Sequence, residues 1–437
     1  MRVRRAVLSV LLVLATVAQG VAQGLPRGVP AQLGFAPARL ARIDSVMQRY
    51  VDSGRVAGVV TLVARHGRVA QLGAYGWADR ESGKRMTPDA VFRIASQSKA
   101  VTSVAVMMLI EEGRLRLSDP VAKWLPSFAT ASVATPDSVH PHAPLRRAIT
   151  IRDLLTHTAG ISYGTDSLVA PQYRAAGLGP AAGWGWYFAD KSEPICASMD
   201  RLGTLPFVAQ PGERFVYGYN TDILGCVVER VSGMPLDPFL RTRLLGPLRM
   251  YDTYFFLPPA QRARLAAVYA ASAGGAIVRA EDGPLGQGSY VDGPRASFSG
   301  GAGLLSTAGD YARFLQMLLN GGTLDGARIL APATVALMTR NQIGTIYDRS
   351  GASGFGLGFE VLLDPGLAGQ YGSAGRFGWG GAYATNYWVD PAEDLVAVLM
   401  LQLLPSGGLD IGDRFRTLVY QAIVGPGVPS RPGSAGR

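Results

Sequence analysis

Strand-forming segments sit at the two ends of this chain, and a helical block lies between them. Near the N-terminus, AGVVTLVARHGRVAQLGAYGWAD shows β-branched and alternating residues broken by His66-Gly67, the pattern of a hairpin. Near the C-terminus, GFGLGFEVLL, GRFGWGGAYATNYWVD and DLVAVLMLQLL read as consecutive strands. Helical patterns flank these ends, in PARLARIDSVMQRYVDSG and DIGDRFRTLVYQAIVG. The economical architecture is α+β: one antiparallel sheet built from both chain ends and flanked by terminal helices, with an inserted, mainly helical domain. The expected boundaries are 36–114 and 291–425 for the sheet domain, 115–290 for the helical domain and 426–437 for a disordered tail. A cleft between the two parts is the expected place for an active site.

The first residues, MRVRRAVLSVLLVLATVAQGVAQG, have a basic start, a short apolar run and then small residues. That is the pattern of a secretory signal peptide over 1–22, cleaved near Gly20 or Ala22, and the run is too short to span a bilayer. No later apolar run reaches roughly 18 residues, so a soluble, periplasmic or secreted protein without stable membrane insertion is expected. The formal charge is +10, and Arg2, Arg4 and Arg5 leave with the signal. The remaining arginine excess is scattered, with no basic run interleaved with aromatics, so no nucleic-acid partner is expected. Hydrophobic residues make up 48% of the chain, ample for a sizeable core. The two cysteines, Cys196 and Cys226, could pair in an oxidising compartment. The apolar setting of Cys226 in DILGCVVERV favours two buried thiols instead.

Three catalytic patterns compete. Gly160-Ile161-Ser162-Tyr163-Gly164 matches GxSxG, but a nucleophile elbow needs a strand before its serine and a helix after it. Here a helical segment precedes and a loop follows. That fold also needs a histidine after the serine, and all four histidines (His66, His140, His142, His157) precede Ser162. His157 reads as a residue closing a helix C-terminus, where a charge or donor suits the last carbonyls. His140-Pro141-His142 lacks a third ligand at metal spacing, so no metal and no cofactor is expected.

The third pattern is Ser96 and Lys99 in ASQSKAV, at the start of the long apolar helix VTSVAVMMLIEEG. The chain has only four lysines. A cation in the first helical turn opposes the helix dipole, and a capping box would place Glu or Gln there. As a structural residue Lys99 is misplaced. As chemistry the spacing makes sense, because positions i and i+3 share a helix face. Burial and the positive helix end both favour a neutral amine able to accept the serine proton. PGERFVYGYNTDILG adds Tyr217 and Tyr219 before another helix, and FGWGGAYATNYWVD adds Trp379-Gly380-Gly381, where strand glycines suggest close approach by a ligand or backbone.

Together these segments resemble the serine β-lactamase and penicillin-recognising superfamily, on its class C side. FRIASQSKAVTSVAVMMLIEEGRLRLSDPVAKWLP, ITIRDLLTHTAGI, GPLRMYDT and GGAGLLSTAGDYARFLQMLLNGG follow the family's landmarks in order, over residues 40–425. The resemblance implies Ser96 as acylated nucleophile, Lys99 as its proton acceptor and Tyr217 as the group passing protons to the leaving group. Tyr217 is preferred to Tyr219 by its eight-residue distance to Gly225. It also implies an oxyanion hole of the Ser96 and Ala382 backbone N–H groups. Two departures matter. The family's Tyr-x-Asn has Tyr219 at its third position, and its Lys-Thr-Gly is replaced by Trp379-Gly380-Gly381, so the handles for an acyl amide and a β-lactam carboxylate are lost. That pattern resembles the esterase branch, the family VIII carboxylesterases. Tyr219, Trp379, Gly380 and Gly381 are then the expected substrate-contact residues, and GWGWYFAD (Trp184, Trp186, Tyr187) is a candidate acyl-pocket loop. The expected activity is a serine hydrolase acting on short-chain esters. The alternatives are a β-lactamase, a D-amino-acid peptidase or amidase, and a non-catalytic binding or sensor protein, against which the intact Ser96, Lys99 and Tyr217 argue.

Overall fold

The computed structural model describes residues 24–426, apart from 138, 181–184, 273–275 and 407. The signal segment, nearly all of the tail, and Trp184 lie outside the described residues.

Eight strands form one antiparallel sheet: β1 (Gly58–Arg65), β2 (Arg68–Asp79), β3 (Lys84–Arg85), β4 (Ser353–Phe355), β5 (Glu360–Leu362), β6 (Phe377–Gly380), β7 (Asn386–Asp390) and β8 (Leu395–Met400). Their spatial order is β4-β5-β6-β7-β8-β1-β2-β3. The two chain ends meet where β1 pairs with β8, with Leu62 opposite Val398. The β1–β2 hairpin turns on His66 and Gly67, both at positive φ, as a two-residue turn of that hand requires.

Every residue of β1 is buried, which means that both faces of the sheet are covered. The helices that matter here are α1 (Arg42–Asp52), α2 (Ser98–Glu111), α3 (Ile151–Leu155), α4 (Asn220–Ser232), α5 (Ala308–Leu319) and α6 (Ile411–Tyr420). Strand residues alternate between faces. Val59 and Val63 pack with Ile43 and Met47 of α1 and Phe415 of α6. Val60, Leu62 and Ala64 belong instead to the large core that contains α2, α4 and α5. The terminal helices thus cover one face, and α5 packs on the other.

Two C-terminal segments that read as single strands are hairpins. GFGLGFEVLL breaks into β4 and β5 around Gly358, whose φ of 98° cannot continue a strand. GRFGWGGAYATNYWVD breaks into β6 and β7, where the Gly381 N–H bonds the Thr385 carbonyl.

The cysteines also depart from expectation. Cys196 and Cys226 form a disulfide, with Cα atoms 5.1 Å apart. Helix Ile195–Leu202 packs along α4 and sets the two side chains face to face, a contact the local apolar pattern could not reveal. Among the described residues no helix is long and apolar enough to cross a membrane.

Candidate active site

Ser96 sits in a 3-10 turn, Ala95–Gln97, between the short strand Phe92–Arg93 and α2. Ala95 is fully buried at a φ of 41°, an unfavourable conformation for a residue with a Cβ. Its neighbours hold it there: Ile94 N–H bonds the Leu304 carbonyl, and Gln97 N–H bonds the Ile94 carbonyl. From Ala90 to Leu109 every residue is buried except Ser96. The turn therefore presents one side chain out of an otherwise sealed segment.

Lys99 follows in the first turn of α2 and is 3% exposed. Its Nζ lies 3.3 Å from Ser96 Oγ, 3.0 Å from Tyr163 Oη and 2.9 Å from the Gly301 carbonyl. No carboxylate of the described residues is within ion-pair distance of it. The fully buried Asp222 of α4 lies behind, accepting from Ser299 Oγ at 2.5 Å and from Gly301 N–H at 3.1 Å. Burial raises the pKa of this carboxyl above the ordinary range, and the nearby Lys99 charge opposes the rise.

The two tyrosines separate cleanly. Tyr217 is half-buried, with its ring centroid 4.6 Å from Lys99 Nζ and its Oη accepting the Trp379 indole N–H at 3.2 Å. Its hydroxyl bonds neither Lys99 nor Ser96. Tyr219, expected to contact substrate, is fully buried and unable to do so. Its hydroxyl donates to the Gly185 carbonyl at 2.7 Å and accepts the Gly179 N–H at 2.9 Å. The physical reason is register: Tyr219 lies one residue before α4 and points into its packing, while Tyr217 lies on the loop above it.

Asn220, next in sequence, is equally committed. Its amide donates to His157 Nδ1 at 3.0 Å and to the Val216 carbonyl at 3.1 Å. Burial and the Lys99 charge push the His157 imidazole well below its ordinary pKa, so the ring is neutral and Nδ1 accepts. His157 does not act as a charged helix-closing residue. It packs 4.9 Å from the Tyr217 ring, and its carbonyl takes the Val216 N–H. It holds the loop that carries Tyr217.

Strand β6 ends beside the Ser96 turn. A Cβ at Gly381 would come within 2.4 Å of the Ile94 carbonyl and 2.3 Å of Thr385 Oγ1, so only glycine lets the two segments approach. Neither the Ser96 nor the Ala382 amide donates to a protein acceptor among the described residues. Trp379 joins Tyr217, Phe355 and Tyr347 in an aromatic wall, with its ring 5.4 Å from Phe355, edge-on. A cavity of about 290 Å³ shares Tyr347 and Trp379 with this wall and is also lined by Gly380. In the candidate acyl-pocket loop, Trp186 packs on Tyr383, beside Ala382, whereas Tyr187 is buried against Tyr290.

Ser162 caps a local turn through the Gly164 N–H. The residues that sequence reasoning missed are Tyr163, Gly301 and Asp222. Tyr163 lay inside the discarded GxSxG pattern. Gly301 contributes only a carbonyl, which no side-chain pattern can announce. No cluster of metal-ligating side chains exists among the described residues.

Comparison with known proteins decides the family. The Beta-lactamase family model matches residues 43–421. The chain belongs to the Beta-lactamase family. It is 37% identical to protein Rv1367c of Mycobacterium tuberculosis, covering 82% of this chain and 89% of that one. It is 33% identical to esterase EstB of Burkholderia gladioli, covering 85% and 92%. Among solved structures, EstCE1, described as a hydrolase with promiscuous acyltransferase activity, superposes with a TM-score of 0.75 at 31% identity, covering 88% of this chain and 99% of that one. This Beta-lactamase-family chain is therefore a serine hydrolase with esterase relatives, acting on small molecules.

Proposed function

We propose that the protein is an exported carboxylesterase that cleaves short-chain esters through an acyl-enzyme on Ser96. The observation that carries this reading is geometric: Lys99 Nζ lies 3.3 Å from the Oγ of Ser96, the one side chain of its segment that is not buried. An amine so placed is within reach to take a proton from serine. Ser96 Oγ attacks the ester carbonyl carbon as its proton passes to Lys99 Nζ. The tetrahedral oxyanion is held by the Ser96 and Ala382 N–H groups, a term usually large in acyl transfer. Collapse breaks the C–O bond. The alkoxide leaves with a proton passed from Lys99 through Tyr217, whose Oη already accepts the Trp379 N–H and keeps its own hydrogen for donation. Water then attacks the acyl carbon by the same route.

Esters are favoured over lactams because the positions that would grip a lactam offer no handle. Tyr219 is buried, and Trp379 sets an apolar wall where a lysine would hold a carboxylate. The esterase relatives support the same choice. Export follows from the signal-like leader, and N-terminal sequencing of the periplasmic or secreted protein tests it, with a start near residue 21 or 23 expected. Turnover of a p-nitrophenyl butyrate and of a chromogenic cephalosporin by the purified protein tests the activity. Ester turnover lost in Ser96→Ala is expected. Faster turnover of the cephalosporin would instead make it a β-lactamase.

A further inference from the structure

Lys99 Nζ has three oxygens within hydrogen-bond reach: Ser96 Oγ, Tyr163 Oη and the Gly301 carbonyl. A neutral amine has two N–H bonds and one lone pair, while an ammonium has three N–H bonds and none. For Lys99 to take the serine proton, its lone pair must face Ser96. Both N–H bonds must then go elsewhere. The Gly301 carbonyl can only accept, so it takes one. Tyr217 cannot take the other, because its ring, not its hydroxyl, faces the nitrogen. Only Tyr163 remains.

We propose that Tyr163 is a positioning residue for Lys99, its hydroxyl and the Gly301 carbonyl together taking both N–H bonds of the neutral amine and leaving the lone pair aimed at Ser96. The inference rests on the Lys99 base of the proposed function and adds a residue to it. The same cradle serves the protonated state. Once the serine proton has moved, the third N–H points at the oxygen it left, the oxygen that regains a proton when water releases the acyl group.

The setting of Tyr163 suits this role. It is buried, and its ring is packed edge-on against both Tyr217, at 5.8 Å, and Tyr219, at 4.8 Å. That clamp fixes the hydroxyl without help from a second polar partner. Burial also pushes its phenol well above the ordinary pKa of 10.0. A phenolate here would lock Lys99 as an ammonium and remove the base. A buried, neutral phenol is an acceptor that cannot do so.

Tyr163→Phe keeps the ring and removes the oxygen. With the short ester, kcat is expected to fall about tenfold or more while KM stays within about twofold, the signature of a lost proton-transfer geometry. An ammonium deprived of one acceptor releases its proton more readily, so the acid limb of the kcat/KM profile should move to lower pH. A packing role alone would leave that limb in place. Unchanged kcat with an unmoved limb would overturn the assignment. So would a rise in kcat, which would mean that the phenol had been donating to the lone pair and competing with Ser96. Should Tyr163→Phe fail to fold, replacement of Tyr163 by 3-fluorotyrosine keeps the shape and weakens the acceptor, and an unmoved limb there overturns the assignment equally. Lys99→Met separates the two readings. If that variant is active, the Lys99 base falls and Tyr163 with it. If it is dead and Tyr163→Phe behaves as wild type, only the Tyr163 assignment falls.

Discussion

Lys99 and its oxygens carry the chemistry at the residue scale, and two tyrosines two positions apart show how burial divides roles. Tyr217 faces the site. Tyr219 has both its hydrogen bonds inside the fold. Tyr217→Phe should cost about 100-fold or more in kcat on a short ester, with the protein still folded. Tyr219→Phe should leave kcat within about twofold and lower unfolding free energy by about 1–3 kcal/mol, because buried partners are left unpaired. Parallel ester assays and urea melts of the two variants check both outcomes. The sequence could choose Tyr217 by its spacing to Gly225. It could not show Tyr163, because that residue reaches Lys99 from 64 positions away through tertiary packing alone. The misfit of Lys99 with the helix dipole was legible, since it depends only on local rules.

At the element scale, α2 was legible from its apolar run, but the 3-10 turn and the positive φ of Ala95 were not, because neighbouring strands impose them. The disulfide was hidden for the same reason: it depends on how helix Ile195–Leu202 meets α4. It closes a loop over a sequence separation of 30 residues. Replacing both cysteines by alanine should lower stability by about 3 kcal/mol, read from urea melts, while ester turnover at 25 °C persists. The same helix is braced by Glu193, which accepts from Arg201 and Ser198 Oγ. The Arg201 bond holds the Glu193 carboxyl at about 2, below its ordinary 4.5. A depressed carboxylate stabilises the fold above its unfolded pKa and loses that effect as pH falls through the folded one. Glu193→Gln should therefore cost about 1 kcal/mol at pH 7, the pair being part-exposed, and the gap should close as the pH falls from 4.5 towards 2. Tm measured against pH for both proteins checks this.

For the whole molecule, the strand signals at both ends anticipated the sheet, because apolar, β-branched runs bounded by turn residues are written in local sequence. What they could not show is which loops the sheet brings together. The end of β6, the Ser96 turn and the Tyr217 loop are distant in sequence and meet through tertiary packing: α2 lies against α4, and β6 reaches the Ser96 turn across the sheet closed by the β1–β8 pairing. The fold and the site therefore depend on both termini. Ending the chain before Ile411 would strip Ile411, Phe415 and Val419 from the face formed by Val59, Val63 and Trp388. Such a truncation should give no folded protein, seen as loss of near-UV circular dichroism and of ester turnover together. The central claim is acyl transfer through Ser96, and trapping the acyl-enzyme tests it most directly. Protein quenched in acid during turnover of a slowly released ester should gain the mass of one acyl group, on the peptide that contains Ser96, and Ser96→Ala should gain none. An acyl group found on Ser162, or undiminished turnover by Ser96→Ala, would contradict the account.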